Sequence, residues 1–110
     1  MINLNMPRRQ TWDVGTTAHV RDYTGSVLCW GALDMRDLLR AANGQALPLL
    51  GNVDEYDDTV FNRQQLRVVI GELDQIARTS SGLDPQLQEL DGMVARVQER
   101  PHRYLVFNGD

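Results

Sequence analysis

The most constraining stretch of this chain is its closing apolar run, Tyr104-Leu105-Val106-Phe107, in which no polar residue alternates with the apolar ones. Such a strand offers apolar side chains on both faces and backbone N–H and C=O groups on both edges. It therefore belongs inside a sheet, with partners on each side. The natural partners lie at the other end of the sequence. Trp12, Val14, Thr16, Ala18 and Val20 alternate with Asp13, Gly15, Thr17, His19 and Arg21, the period of a strand with one buried face. Asp22-Tyr23-Thr24-Gly25-Ser26 supplies turn chemistry, and an apolar run from Val27 to Leu33 follows, so the segment reads as a β-hairpin. The competing reading makes residues 27–42 part of one long helix capped by Ser26.

Three helical patterns separate the hairpin from the closing strand. Asp34 is placed to cap a first helix whose apolar face is Met35, Leu38, Leu39 and Ala42, and Asn43-Gly44 can end it in the left-handed conformation. Leu47, Pro48, Leu49 and Leu50 form a short buried stretch in which Pro48 argues against a central strand. Asn62 and Gln65 have the spacing of a capping box, and Leu66, Val69, Ile70, Leu73, Ile76 and Ala77 keep helical spacing behind them. Ser80-Ser81-Gly82 ends that helix. Asp84 caps a third with Pro85 in its first turn, its stripe is Leu87, Leu90, Val94 and Val97, and Pro101 closes it. The expected fold is a small α+β domain, order β-β-α-α-α-β, with helices packed on one face of a small sheet. Residues 1–10 read as an N-terminal arm and residues 11–110 as a single domain.

Composition narrows the function classes. Fifteen acids against eleven bases give a net charge of −4, whereas a nucleic-acid binder usually carries a basic excess. Nucleic acid is accordingly not expected as a partner. No run approaches the roughly 20 apolar residues of a membrane span. The segment around Pro7-Arg8-Arg9 lacks the apolar core of a secretory leader, and Cys29 is the single cysteine, so a cytoplasmic protein is expected. All eleven bases are Arg. GC-rich codon usage accounts for that, and a preference for bidentate guanidinium pairing is the functional alternative.

No phosphate-binding glycine loop, H-E-x-x-H or C-x-x-C occurs, and His19, His102 and Cys29 form no catalytic spacing. His19 falls on the polar side of the first strand, and Cys29 beside Trp30 reads as a small core residue. No catalytic residue, metal ligand or cofactor is assigned, and the balance is against an enzyme. The densest chemistry is Asp54-Glu55-Tyr56-Asp57-Asp58, four carboxylates in five positions. An EF-hand loop needs acids at alternate positions and a turn glycine, which this stretch lacks. A solvated loop or a surface for a basic partner remain. A second candidate interface is the uncharged side of the middle helix, Gln64, Val68, Gly71 and Gln75, where Gly costs about 1 kcal/mol against Ala. Either another part of the chain or a second molecule could cover it.

The block Val53-Asp54-Glu55-Tyr56-Asp57-Asp58-Thr59-Val60-Phe61-Asn62-Arg63, the helix containing Gln65 and the closing Tyr104-Leu105-Val106-Phe107-Asn108-Gly109-Asp110 resemble a group of short proteins from high-GC bacteria, chiefly actinobacteria. The resemblance covers roughly residues 33–110 and leaves the hairpin unmatched. It implies a small bacterial cytoplasmic protein and carries no activity, cofactor or site residue. From the residues themselves, the expected function is a protein-protein interaction module, most concretely an immunity-type inhibitor of a basic bacterial toxin acting through the acidic loop. A homodimeric accessory or regulatory domain is the alternative, and a small ligand-binding protein or enzyme a third.

Overall fold

The computed structural model describes residues 15–109. The arm at 1–10 and the strand positions Trp12, Asp13 and Val14 lie outside them. Strands β1 (Ala18–Asp22) and β2 (Val27–Trp30) form the hairpin, followed by helix α1 (Arg36–Gly44), a 3₁₀ turn (Leu50–Asn52), β3 (Thr59–Phe61), α2 (Leu66–Thr79), α3 (Asp84–Gln98) and β4 (Arg103–Phe107). This is the α+β domain expected from the sequence, and the alternative of one helix through residues 27–42 is excluded. One strand was not anticipated: β3, three residues long, in a stretch read as loop.

The sheet is antiparallel with order β2-β1-β4-β3, so the closing strand is interior. Its neighbours are fixed by pairings such as Val20 with Leu105 and Phe61 with Leu105. One face carries Ala18, Val20, Phe61, Leu105 and Phe107 into the core beneath the helices. The other carries a cross-strand row of Trp30, His19, Val106 and Val60. Val106 is fully buried in that row, while Trp30 and Val60 at the sheet edges are exposed.

Several helix boundaries follow different chemistry from that expected. The capping box forms as read: the Gln65 N–H donates to Asn62 Oδ1 and the Asn62 N–H to Gln65 Oε1, both at 2.8 Å. Asp34 sits one residue before the N-cap of α1, yet its Oδ1 accepts the Arg36 N–H at 3.0 Å and the Thr16 N–H at 3.2 Å. It serves the helix end and also ties it to the start of β1. Asp84 is the first residue of α3 and makes no side-chain cap. The left-handed residue after α1 is Ala46, with φ 56°, and neither Asn43 nor Gly44 has positive φ. Its N–H reaches Asn43 O, and the Leu47 N–H reaches Ala42 O, so the carbonyls that end the helix are satisfied.

Helix α2 rotates its stripe relative to the expected one. Leu66, Val69, Leu73 and Ile76 are buried, but Ile70 and Ala77 are exposed and Glu72 takes an inward position. On a 3.6-residue period, position 72 lies beyond Ile76 at one margin of the stripe and positions 70 and 77 lie beyond Leu66 at the other, so a modest rotation buries the first and exposes the other two. Cys29 packs against the core through its partner Val20, as a small apolar residue would.

Candidate functional site

The acidic loop is placed by β3. Thr59 pairs with Phe107 and Phe61 with Leu105, so residues 54–58 stand at the Phe107 end of the sheet and Asn62 at the opposite end. All of Asp54, Glu55, Tyr56, Asp57 and Asp58 are exposed, Tyr56 by 73%. The backbone, by contrast, is held. The Asp54 N–H donates to Thr59 Oγ1 at 3.0 Å, the Tyr56 N–H to Asp54 Oδ1 at 2.8 Å, and the Gly109 N–H to Asp58 Oδ1 at 2.9 Å. A Cβ at Gly109 would overlap the backbone of Asp57, so only glycine admits this close approach. The ion pairs among the described residues all lie elsewhere, and no Arg neutralises the loop carboxylates there. No three His, Cys, Asp or Glu side chains among the described residues are grouped to hold a metal ion.

The second candidate surface divides. Gln75 is covered by the chain itself: its Nε2 donates to Gln45 Oε1 at 3.0 Å, and Gln45 Nε2 donates in turn to Thr79 Oγ1. Gln64, Val68 and Gly71 are exposed, Val68 by 47%, and a Cβ added to Gly71 would meet no atom within 4 Å. The two candidate surfaces are separate. The loop stands at one end of the sheet, and the helix face begins beyond the other.

His19, read as a solvent-facing strand residue, is buried. Its ring tilts against Trp30 with centroids 4.9 Å apart, and its Nδ1 has no hydrogen-bond partner among the described residues. Burial, and next the positive charge of Arg21, push its pKa below the ordinary histidine value; Asn108 and the Asp58 carboxylate pull the other way. The charge of Asp58 thus reaches His19 in the sheet. Burial raises the Asp34 carboxyl, but the Arg36 guanidinium and N–H and the Thr16 N–H outweigh it and hold the group below the usual carboxylate range.

Two carboxylates that spacing did not single out organise the loops around the core. Glu72 on α2 accepts the Leu50 N–H on Oε1 at 2.7 Å and the Leu49 N–H on Oε2 at 3.0 Å, which fixes the 3₁₀ turn. Glu89 on α3 accepts the Ala32 and Leu33 N–H groups at 3.1 and 3.3 Å, fixing the link from β2 to α1. In both cases one carboxylate satisfies two consecutive backbone donors. The only sequence signal for Glu72 was its place on an apolar stripe. Beside the loop, a cleft of about 230 Å³ opens between α1 and the 3₁₀ turn, with Arg36, Arg40, Asn43 and Glu55 in its wall.

Fold and site together define a small α+β domain with an exposed acidic loop whose backbone is tied by hydrogen bonds to Thr59 and Gly109. Comparison with protein-family models, curated proteins and solved structures finds no match to this chain. No helix among the described residues is long and apolar enough to cross a membrane.

Proposed function

We propose that the chain is a non-catalytic protein-protein interaction module of the bacterial cytoplasm, an immunity-type inhibitor whose acidic loop occupies the basic active site of a toxin. The observation that carries this reading is the combination of five exposed side chains with a pinned backbone at Asp54–Asp58. Carboxylates held in place can sit where substrate phosphates would otherwise bind, and little ordering entropy is lost when they do. Tyr56 supplies the aromatic anchor common at the centre of such interfaces. Opposite charges also steer the encounter, which makes the association rate salt-dependent.

The experiment is recovery of the native partner by pull-down, followed by kinetics with Asp54, Glu55, Asp57 and Asp58 changed to Asn or Gln. Association with the variant should slow sharply, and the wild-type on-rate should fall as salt shortens the screening length to about 10 Å at 0.1 M. Binding indifferent to both changes would remove the loop from the mechanism.

A second reading, a homodimeric accessory or regulatory domain through the uncharged helix face, is favoured by the exposed Val68 beside the open space at Gly71. Light scattering on the eluting peak tests it directly. A monomer at high concentration excludes that reading and leaves the first untouched.

A further inference from the structure

Three shallow hollows lie around the Arg103 end of the sheet, away from the acidic loop. The first, about 340 Å³, opens between the β1–β2 turn and Tyr104 and includes Arg21 and Tyr23. The second, about 270 Å³, shares Tyr104 and is walled by Arg63 and Arg103. The third, about 300 Å³, shares Arg63 with the second and ends at Arg67. The strand register explains the convergence. Arg21 and Tyr104 are partners across β1 and β4, and β3 ends beside Leu105, so the residues leading into α2 arrive at the same edge.

Four arginines therefore line three neighbouring hollows, which share Tyr104 and Arg63, in a chain whose net charge is −4. Two acids stand by them: Glu99 is paired with Arg103 and lies within 3.8 Å of Arg96, and Asp22 turns its carboxylate into the hairpin turn, where it accepts the Thr24 N–H and hydroxyl and the Ser26 N–H. Two of the arginines are held in place by the end of α3. Arg63 donates to Gln98 O at 3.0 Å, and Arg103 donates to Arg96 O at 2.7 Å and pairs with Glu99 at 3.2 Å. A guanidinium carries five N–H donors in a fixed fork; Arg103, only 13% exposed, is committed to the α3 end and Glu99, whereas Arg63 is exposed and its bond to Gln98 O orients the group and leaves donors over. Ring faces lie among the cations: Tyr23 is 72% exposed, edge-on to His102 at 5.6 Å, and Tyr104 lies between the first two hollows. Forked donors bind phosphate bidentately, and neighbouring aromatic faces take a flat base.

We propose that these hollows together bind a nucleotide, with a phosphate at Arg63, the base against Tyr104 and Tyr23, and a further phosphate at Arg67. The site is independent of the acidic loop, and its ligand is either a free nucleotide or one unit of a single strand.

The full chain, isotope-labelled for NMR, is titrated with AMP, ADP, adenosine, inorganic phosphate and an oligoadenylate of about 12 nucleotides. AMP should move the resonances of Arg63 and Tyr104 and bind at least about fivefold tighter than adenosine or phosphate. Two exposed substitutions test the assignment without touching the α3 end. Tyr23→Ser should weaken AMP and ADP alike, and Arg67→Gln should weaken ADP while sparing AMP. The loop variant should bind AMP like the wild type, which separates this proposal from the toxin reading. Oligoadenylate binding far tighter than ADP supports the site and assigns it to a strand, and equal affinity supports it as a free-nucleotide site. No response to AMP overturns the proposal, as does AMP binding no tighter than phosphate and unchanged by Tyr23→Ser.

Discussion

The carboxylates of this protein occupy two kinds of place, and they do different work in each. Asp54, Glu55, Asp57 and Asp58 stand together in water at one end of the sheet. Glu72 and Glu89 stand singly on helices, and each accepts two consecutive backbone N–H groups from a loop packed against it. A carboxylate in water exchanges one set of good hydrogen bonds for another and contributes little to folding. Taken into the interior, the same group is tolerable only with partners, and its removal leaves those partners unsatisfied. Local density of acids therefore points towards an interaction surface, whereas an isolated acid on an apolar stripe points towards the architecture of the fold.

The sharpest way to break this contrast is Glu72→Ala. It strands the buried Leu50 N–H and the part-buried Leu49 N–H and should cost about 2–6 kcal/mol in a urea titration, at about 1–3 kcal/mol for each orphaned donor. A loss under about 1 kcal/mol, no larger than for an ordinary surface change, would erase the distinction. Glu89 is only half-buried and its bonds are longer, so Glu89→Ala should cost less, about 1–2 kcal/mol. Equal losses at the two positions would mean that burial is not what sets the scale.

The sheet's own titrating group gives a smaller effect with a definite sign. Folding lowers the His19 pKa, chiefly through burial, so below about pH 6.5 the unfolded chain takes up this proton more readily than the folded one. Stability should fall as the pH drops through that value and level off below the folded pKa. His19→Phe should remove this component of a melting-temperature profile. Asp58 raises the folded pKa, so Asp58→Asn should make the acid sensitivity steeper. Insensitivity of the profile to both substitutions would show that the loop and the sheet are electrically separate.

The smallest change is expected where acids are densest. Replacing Asp54, Glu55, Asp57 and Asp58 by Asn or Gln should leave stability within about 0.5 kcal/mol per exposed site, judged by thermal or urea unfolding. Cooperative unfolding lost in this variant would move the loop into the structural class.

Much of the fold was legible before any coordinates. Period-two alternation at Thr16, Ala18 and Val20 marked the buried face of β1, and the apolar run at Leu105–Phe107 required an interior strand. The Asn62–Gln65 box formed because its donors and acceptors are neighbours in sequence. Local chemistry of this kind depends on a few adjacent residues and survives translation into structure. β3 was not legible: three residues are too few to show a period, and pairing with β4 alone makes them a strand. The acidic loop could be found by composition, but its pinned backbone depends on Gly109, distant in the chain.

The sequence by itself determined the types and order of every element but β3, and the residues dense in charge, because helix and strand periods and caps are short-range properties. The tertiary structure alone decided which side of a marginal residue faces inward. It buried His19 and Glu72 and exposed Ile70, since a rotation of a fraction of a turn is settled by what packs alongside. It also decided where charges converge. Arg21, Arg63, Arg67 and Arg103 are scattered along an acidic chain, and only the antiparallel register brings them to one edge of the sheet.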